Sequence, residues 1–156
     1  MTIRIIENQF APIPLLLLAD PAIERVQQYL QDGIVFIGEE EDTIIAVAVL
    51  CIGDTEAELK NIAVTEEREG QGLGRQLLQH VIHHARAEGL QRIVVGTGNS
   101  SLRELAFYQR NGFRIEGVIR GFFDAHHPPI IENDIACRDM IRLGLDLRAT
   151  DPLRSA

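Results

Sequence analysis

Glu69-Gly70-Gln71-Gly72-Leu73-Gly74-Arg75 is the segment of this sequence that decides the fold. Three of its residues are glycines at alternate positions, and an amphipathic helical pattern begins within it and ends before Gly89. Glycines before and inside a first helical turn let a ligand approach the backbone, whose unpaired N–H groups attract anions. The segment therefore predicts either a phosphate-binding loop or a flexible turn that binds nothing.

Strand patterns flank this segment on both sides. A nearly all-apolar strand at 43–52 and an alternating strand at 57–64 precede it, and the apolar run at 93–95 follows the helix. This order predicts a parallel βαβ unit with a right-handed crossover. The remaining predicted elements are a short strand at 3–5, a helix from Asp20 to Gly33, a strand at 34–37, a helix at 101–110, and strands at 113–118 and 135–143.

Length and composition restrict the class of protein. With 156 residues, 46% of them hydrophobic, the chain fits one domain. The longest apolar run, at 13–19, is too short to span a bilayer, and the first residues do not have the pattern of a secretory signal. The net charge of −8 argues against a nucleic-acid partner and suits a cationic small molecule.

The cysteines and histidines do not form a metal-binding pattern. Cys51 and Cys137 lie in predicted strands without CxxC spacing, which favours buried thiols and a cytoplasmic protein. His80 and His84 have the i, i+4 spacing of a helical metal site, but no acidic or thiolate ligand accompanies them in the pattern. We therefore expect no metal and a solvated helix face.

Two common phosphate loops fit the glycine segment poorly. A Walker-type loop needs Lys and then Ser or Thr after its last glycine, whereas Gly74 is followed by Arg75-Gln76. A dinucleotide fold needs G-x-G-x-x-G and an acidic residue at the end of the next strand. The spacing here is G-x-G-x-G, and that strand ends at Val95-Gly96. The first interpretation fails, and the second is weak.

Two separated motifs resemble those of the GNAT family of N-acetyltransferases. Asn61-Ile62-Ala63-Val64 followed by Arg68 to Leu78 is similar to the family's strand and pyrophosphate loop, and Leu105 to Phe113 is similar to its tyrosine helix, which ends in Gly-Phe. Segments 96–101 and 131–147 resemble small bacterial members whose acceptors are unassigned. The resemblance covers nearly the whole chain, which implies a single N-acetyltransferase domain at 1–145 and a C-terminal tail at 146–156.

The resemblance implies a fold and a co-substrate. The implied fold is α/β (α+β), a twisted, mixed and mostly antiparallel sheet of about seven strands with helices on both faces. The implied co-substrate is acetyl-CoA, with no metal, and the implied reaction is direct acetyl transfer to a primary amine. The positions similar to the family's acetyl-CoA contacts are Ile62, Ala63, Val64, Gly70, Gln71, Gly72, Leu73, Gly74, Arg75, Asn99 and Tyr108.

Glu69 departs from the family pattern. The family usually has Arg or Gln at this position, and a glutamate repels phosphate. We expect either Arg68 or Arg75 to supply the missing positive charge. An acyl-CoA-binding regulatory or interaction protein with little or no turnover is the alternative that this residue leaves open.

Tyr108 and Glu58 are the candidate catalytic residues that the resemblance implies. Tyr108 matches the family tyrosine near the thioester sulfur, where a phenol can donate a proton to the departing thiolate. Glu58 is placed like the general base of some members, and strict alternation puts it on one face with Ile62 and Val64. Its alternative role is a structural carboxylate paired with Lys60 or an arginine.

The acceptor side is the least specified by sequence. His126, His127 and Phe123 lie in a loop where the family often forms its acceptor pocket, and they are either substrate contacts or ordinary loop residues. The acceptor is expected to be a small-molecule amine, with a cationic one favoured, or a peptide amine. The resemblance is also compatible with a homodimer.

Overall fold

The computed structural model describes residues 1–148, which divide into two compact units, Met1–Ile93 and a second unit beginning at Val94. The division falls inside a strand. Residues 149–156, which make up most of the predicted tail, lie outside the described residues. The single-domain assignment stays a prediction.

The first unit is built from four strands, three α-helices and two short 3-10 turns. Its strands are β1 (Thr2–Ile6), β2 (Ile34–Glu40), β3 (Thr43–Ile52) and β4 (Glu56–Val64). Its helices are α1 (Ile13–Ala19), α2 (Ile23–Leu30) and α3 (Leu73–Ala87), and the turns lie at Asn8–Phe10 and Glu66–Arg68. The helix predicted from Asp20 thus begins later, at Ile23. The Asp20 carboxylate instead accepts the main-chain N–H of Ala22, before the helix, and two hydrogen bonds from Arg25.

The four strands of this unit are antiparallel in the order β1-β2-β3-β4. On one face Val47 and Val49 of β3 join the buried apolar side chains of α1 and α2. On the other face the buried Phe36 meets the imidazoles of His80 and His84 edge-on, with ring centroids 6.1 and 5.2 Å apart. These two histidines of α3 therefore lie against an aromatic ring.

A bulge interrupts β4 at Lys60. Asn61 pairs with Val49, but the next pair along the ladder joins Leu59 to Leu50. One residue of β4, Lys60, therefore has no partner of its own, which is the definition of a bulge. An extra residue reverses the side-chain alternation on the far side of the bulge.

The bulge corrects the predicted orientation of Glu58. Glu58 pairs with Cys51, which is two positions from the partner of Asn61 and so on the same face of β3. Glu58 therefore shares a face with Asn61, whereas Ile62 and Val64 point to the opposite face. The prediction that Glu58 shares a face with Ile62 and Val64 is wrong, because strict alternation holds only in an unbulged strand.

The second unit contains the remaining strands and one α-helix. The elements are β5 (Arg92–Gly98), which starts just before the division, α4 (Leu102–Arg110), β6 (Arg114–Ile119), β7 (Ile131–Glu132), β8 (Ile135–Ala136) and β9 (Met140–Asp146). The hydrogen-bonded order is β5-β9-β6, with β6 antiparallel to β9, and β7 and β8 form a separate hairpin.

The strand predicted at 135–143 is divided into β8 and β9 by the interval 137–139. The hairpin turn before β8 has Asn133 and Asp134 in the left-handed region, at φ of +54° and +60°, which suits these two residue types. After β8, the side-chain oxygen Oδ1 of Asn99 accepts hydrogen bonds from the main-chain N–H groups of Arg138 and Asp139. Those N–H groups are thus withdrawn from any strand ladder, and the single-strand prediction is wrong.

Among the helices of residues 1–148, none is both long and apolar enough to cross a membrane.

Candidate active site

The loop at 69–75 owes its shape to two glycines. Gly70 and Gly72 have φ of +74° and +80°, values that side-chain-bearing residues rarely adopt. A Cβ built on either glycine meets no atom within 4 Å, so the space beside both is open. The loop therefore exposes its backbone to whatever lies outside it.

The open backbone leads directly into the N-terminus of α3. Gly72 is the N-cap, and no side chain caps it. The first hydrogen bond of the helix runs from the N–H of Gln76 to the carbonyl of Gly72, at 3.1 Å. The N–H groups of Leu73, Gly74 and Arg75 precede it and have no partner within the helix, and the helix dipole adds positive potential there. This end of α3 is suited to bind an anion.

Two arginines flank the loop, and their surroundings differ. Arg68 is held by the Glu40 carboxylate and donates from Nε to Oε1 of Gln71 at 2.9 Å. Arg75 is exposed, and within residues 1–148 no hydrogen bond or ion pair engages its guanidinium. Because Arg68 is already neutralised by a carboxylate, Arg75 is the better candidate for the charge that Glu69 does not provide.

The strand before the loop carries the other candidates of the first unit. Ala63 is buried in the cluster below α1 and α2, and Ile62 and Val64 are half-buried. Oε2 of Glu58 lies 2.9 Å from Nζ of Lys60, and about a third of each side chain is exposed. Glu58 is thus a partly exposed, paired carboxylate within reach of solvent.

Tyr108 is the buried residue of α4. It is 6% exposed and packs against Phe107 and Phe113, with ring centroids 5.4 and 5.6 Å away. Within the described residues its hydroxyl makes no hydrogen bond. Burial raises the pKa of Tyr108, and the Glu104 carboxylate raises it further. The phenol therefore keeps its proton at neutral pH and is available as a donor.

Asn99 uses its amide to hold the chain between β8 and β9. Its Nδ2 donates to the carbonyl of Ala136 at 3.0 Å, and its Oδ1 accepts the N–H groups of Arg138 and Asp139 at 2.8 and 3.0 Å. Its own N–H bonds to the carbonyl of Asp139. Both lone pairs of Oδ1 are occupied, so the geometry favours a structural role over contact with acetyl-CoA.

The segment 120–139 contains the acceptor-side candidates and is braced by side chains. Arg138 binds the Asp124 carboxylate through two nitrogens, at 3.0 and 3.1 Å, which lowers the pKa of Asp124. The Asp139 carboxylate accepts the N–H of Gly121 at 2.9 Å. This brace shapes the loop that holds His126.

The three acceptor-side candidates lie differently within this segment. His126 is exposed, and its Nδ1 lies 2.9 Å from the carbonyl of Pro128, which can only accept, so Nδ1 carries the proton. His127 is exposed, and Phe123 is half-buried with its ring edge-on to Phe122 at 4.9 Å. Nε2 is therefore the ring nitrogen of His126 that remains available for other contacts.

Sequence reasoning missed the brace of segment 120–139 and the Glu40–Arg68 pair. Arg138 and Asp124 are 14 residues apart, and Arg68 and Glu40 are 28 apart. No spacing rule links charges over such separations, so these pairs carry no signal that a single sequence displays. The hairpin turn had a weak signal, since Asn133-Asp134 is a dipeptide that tolerates the left-handed region.

The model of the acetyltransferase (GNAT) family matches residues 5–113. The uncharacterized N-acetyltransferase YvbK of Bacillus subtilis is 43% identical over 135 residues, which is 85% of this chain and 87% of that protein.

Two solved structures are similar over nearly their whole length. An IAA acetyltransferase from Bacillus cereus has 40% identity and a TM-score of 0.88, covering 93% of this chain and 98% of the other. A GNAT family acetyltransferase from Elizabethkingia anophelis with acetyl-CoA bound has 42% identity and a TM-score of 0.88, covering 93% and 97%. These similarities confirm the predicted fold class, and the seven strands of the two hydrogen-bonded orders match the expected number.

Proposed function

We propose that this chain, which belongs to the acetyltransferase (GNAT) family, transfers acetyl from acetyl-CoA directly to a primary amine, with a small cationic amine as acceptor. Family membership makes it an acetyl-CoA-dependent acyltransferase, and the acceptor is the new part of the proposal. Among residues 1–148, no group of three or more His, Cys, Asp or Glu is placed to hold a metal.

The observation that carries the proposal is the loop at 69–75. The open left-handed glycines, the unpaired N–H groups of Leu73 to Arg75 and the unpaired guanidinium of Arg75 suit the diphosphate of acetyl-CoA. In this proposal Gly70 to Gly74 bind it through the main chain. The main chain of Ile62, Ala63 and Val64 binds the pantetheine amides, with the N–H of Val64 facing the carbonyl oxygen that develops negative charge.

The bound thioester supplies the activated acetyl group, and the chain has to manage two protons. An ammonium has no lone pair, so the acceptor must lose a proton before it attacks. We assign this task to Glu58, directly or through water, because its carboxylate is partly exposed. Tyr108 keeps its proton and donates it to the departing CoA thiolate. The second proton, which the nitrogen loses as the amide forms, returns Tyr108 to the phenol, directly or through water.

A covalent enzyme intermediate is not part of the proposal. Cys137 is buried, and burial raises the pKa of the Cys51 thiol, so neither thiol is activated as a nucleophile. The net charge of −8 and exposed carboxylates favour a cationic acceptor, with His126, His127 and Phe123 as contacts. A cytoplasmic location and a homodimer belong to the same proposal.

The proposal is tested by measuring CoA thiol release with a panel of primary amines that includes butylamine, spermidine, lysine and an alanyl peptide. Calorimetric titration of acetyl-CoA accompanies the assay. Release that depends on an amine supports the proposal and identifies the acceptor class. Binding of acetyl-CoA without release for any amine favours the regulatory alternative, and absence of binding contradicts the assigned loop.

Tyr108→Phe tests the assigned acid. The loss of the hydroxyl should lower kcat about 100-fold, within the range of general acid catalysis, and leave the Kd of acetyl-CoA within about twofold. Phe107→Leu, at the neighbouring ring, serves as a packing control. Equal kcat for wild type and Tyr108→Phe would remove Tyr108 as the acid.

A further inference from the structure

A chain of polar side chains, which begins at the exposed Arg25 and runs through buried groups, connects α2 to β4 in the first unit. The Asp20 carboxylate, 8% exposed, accepts two hydrogen bonds from Arg25 at 2.7 and 2.8 Å. The hydroxyl of Tyr29 donates to Asp20 at 3.4 Å, and the Nδ2 of Asn61 donates to that hydroxyl at 2.9 Å. The chain ends on Asn61, which is 4% exposed.

These contacts fix the orientation of the Asn61 amide. Its Nδ2 also donates to the main-chain carbonyl of Leu16 at 2.9 Å. A carbonyl accepts but cannot donate, so the nitrogen of the amide must face Leu16. Both amide hydrogens are therefore used, and the oxygen is turned away from Leu16 and Tyr29.

The Oδ1 of Asn61 is left without a donor. It is buried, and no hydrogen bond reaches it within the described residues. A buried acceptor without a partner is unfavourable, and such an atom in a native fold calls for an explanation such as strain, a functional role or a bound molecule. The oxygen is thus an oriented acceptor that is held ready for an N–H or O–H donor.

The bulge in β4 places this oxygen on the face of Glu58. Lys60 is the extra residue, and without it Asn61 and Glu58 would point to opposite faces. Bulges frequently re-aim side chains next to active sites. A carboxylate proposed as general base and an unpaired amide oxygen therefore share one side of the strand.

We infer that Asn61 is an acceptor-binding residue whose Oδ1 accepts an N–H of the amine substrate. This assignment rests on the proposed function. An amine that loses one proton to Glu58 still carries further N–H donors, and a carbonyl oxygen is complementary to them. Tyr29, Asp20 and Arg25 act through Asn61 as positioning residues, because they hold its amide in one orientation.

The test is calorimetric titration of n-butylammonium chloride into the CoA-saturated protein, with tetramethylammonium chloride as a cation that has no N–H. We expect butylammonium to bind wild type more tightly than tetramethylammonium. Asn61→Leu should weaken butylammonium binding at least tenfold, the scale of one hydrogen bond to a charged donor, and leave tetramethylammonium and CoA binding unchanged.

Asn8→Leu is the matched control in the same unit. Its Nδ2 likewise makes two hydrogen bonds, here to the main-chain carbonyls of Leu30 and Gly33, so its loss disturbs a comparable structural contact. We expect this variant to bind butylammonium like wild type. If Asn61→Leu does not fold, Tyr29→Phe removes one of the two bonds that orient the amide and should weaken butylammonium about threefold.

Several results would overturn the assignment. The first is that wild type and Asn61→Leu bind butylammonium with equal affinity. The second is that wild type binds butylammonium no more tightly than tetramethylammonium. The third is that wild type does not bind butylammonium. Butylammonium that binds through Asn61 without being acetylated would contradict butylamine as a substrate and leave this assignment standing. If Asn61→Leu still releases the CoA thiol with butylamine and binds butylammonium like wild type, the assignment of Asn61 would be contradicted and butylamine would stand as a substrate.

Discussion

The loop at 69–75 and the segment at 120–139 are built in opposite ways. The loop takes its shape from the backbone, through two left-handed glycines and the uncapped start of α3. The segment takes its shape from side chains, since Asn99, Asp124 and Asp139 hold its turns. A backbone-built site depends on its glycines and tolerates other side-chain changes, whereas a side-chain-built site has the reverse sensitivity.

The largest effect is expected for Gly72→Ala. A Cβ at φ of +80° is strained and fills the open space where we place the diphosphate. The loss of charge-assisted hydrogen bonds should raise the Kd of acetyl-CoA, measured by calorimetry, about 100-fold. Gly89→Ala is the control, because Gly89 has φ of +77° and equally open space at the other end of α3. Equal weakening in both variants would show that helix stability, not the loop, governs binding.

Asn99→Ala should disrupt the segment and spare the loop. The loss of three side-chain hydrogen bonds, each contributing about 1 kcal/mol, should lower the free energy of unfolding by about 2–3 kcal/mol. The KM for the amine should rise about tenfold with the Kd of acetyl-CoA unchanged. Asn133→Gly, which loses one bond to Ser100, should have a smaller effect. A higher Kd for acetyl-CoA with an unchanged KM for the amine would instead indicate that Asn99 contacts acetyl-CoA.

Arg75→Gln should have a moderate effect on the loop. Removal of an exposed, unpaired cation should raise the Kd of acetyl-CoA about fivefold and reduce the salt dependence of that Kd. Arg68→Gln is the comparison, and it should change affinity less than about twofold because Glu40 already neutralises Arg68. The opposite ranking of the two variants in calorimetry at low and high salt would assign the phosphate charge to Arg68.

The smallest effect is expected for Asp124→Asn. Arg138 lowers the folded-state pKa of Asp124 below 3.8, so the ion pair stabilises the segment above that pH and is lost as the pH falls through the lowered pKa. Both partners are exposed, so the change in Tm at neutral pH should be slight. Thermal melts of wild type and variant should converge as the pH falls through the lowered pKa of Asp124. A difference that grows with acidity would contradict the sign of this linkage.

The backbone-built region was the part that the sequence could predict. Alternate glycines before a helical pattern indicate an open N-terminus, because glycine alone adopts φ near +75° without strain. The tyrosine helix and the strands at 43–52 and 57–64 follow from local periodicity, and the structure has them within about one residue. These features are determined by residues that lie close together in the sequence.

The side-chain-built region could not be predicted, for a physical reason. The break at 137–139 depends on Asn99, which is about 40 residues away in the chain. The bulge at Lys60, in the first unit, could not be predicted for the same reason. It depends on the register of β4 with β3, and it decides that Glu58 and Asn61 share a face. Such contacts exist only after the chain has folded, so residue spacing does not display them.

Direct transfer of acetyl to an amine can be followed by isotope tracing. The protein is incubated with acetyl-CoA labelled with carbon-13 in the acetyl group and with the active amine, and mass spectrometry locates the label. We expect the labelled acetyl group on the amine nitrogen, in an amount equal to the CoA thiol released, and no label on the protein. Label found only in free acetate, or bound covalently to the protein during turnover, would contradict it.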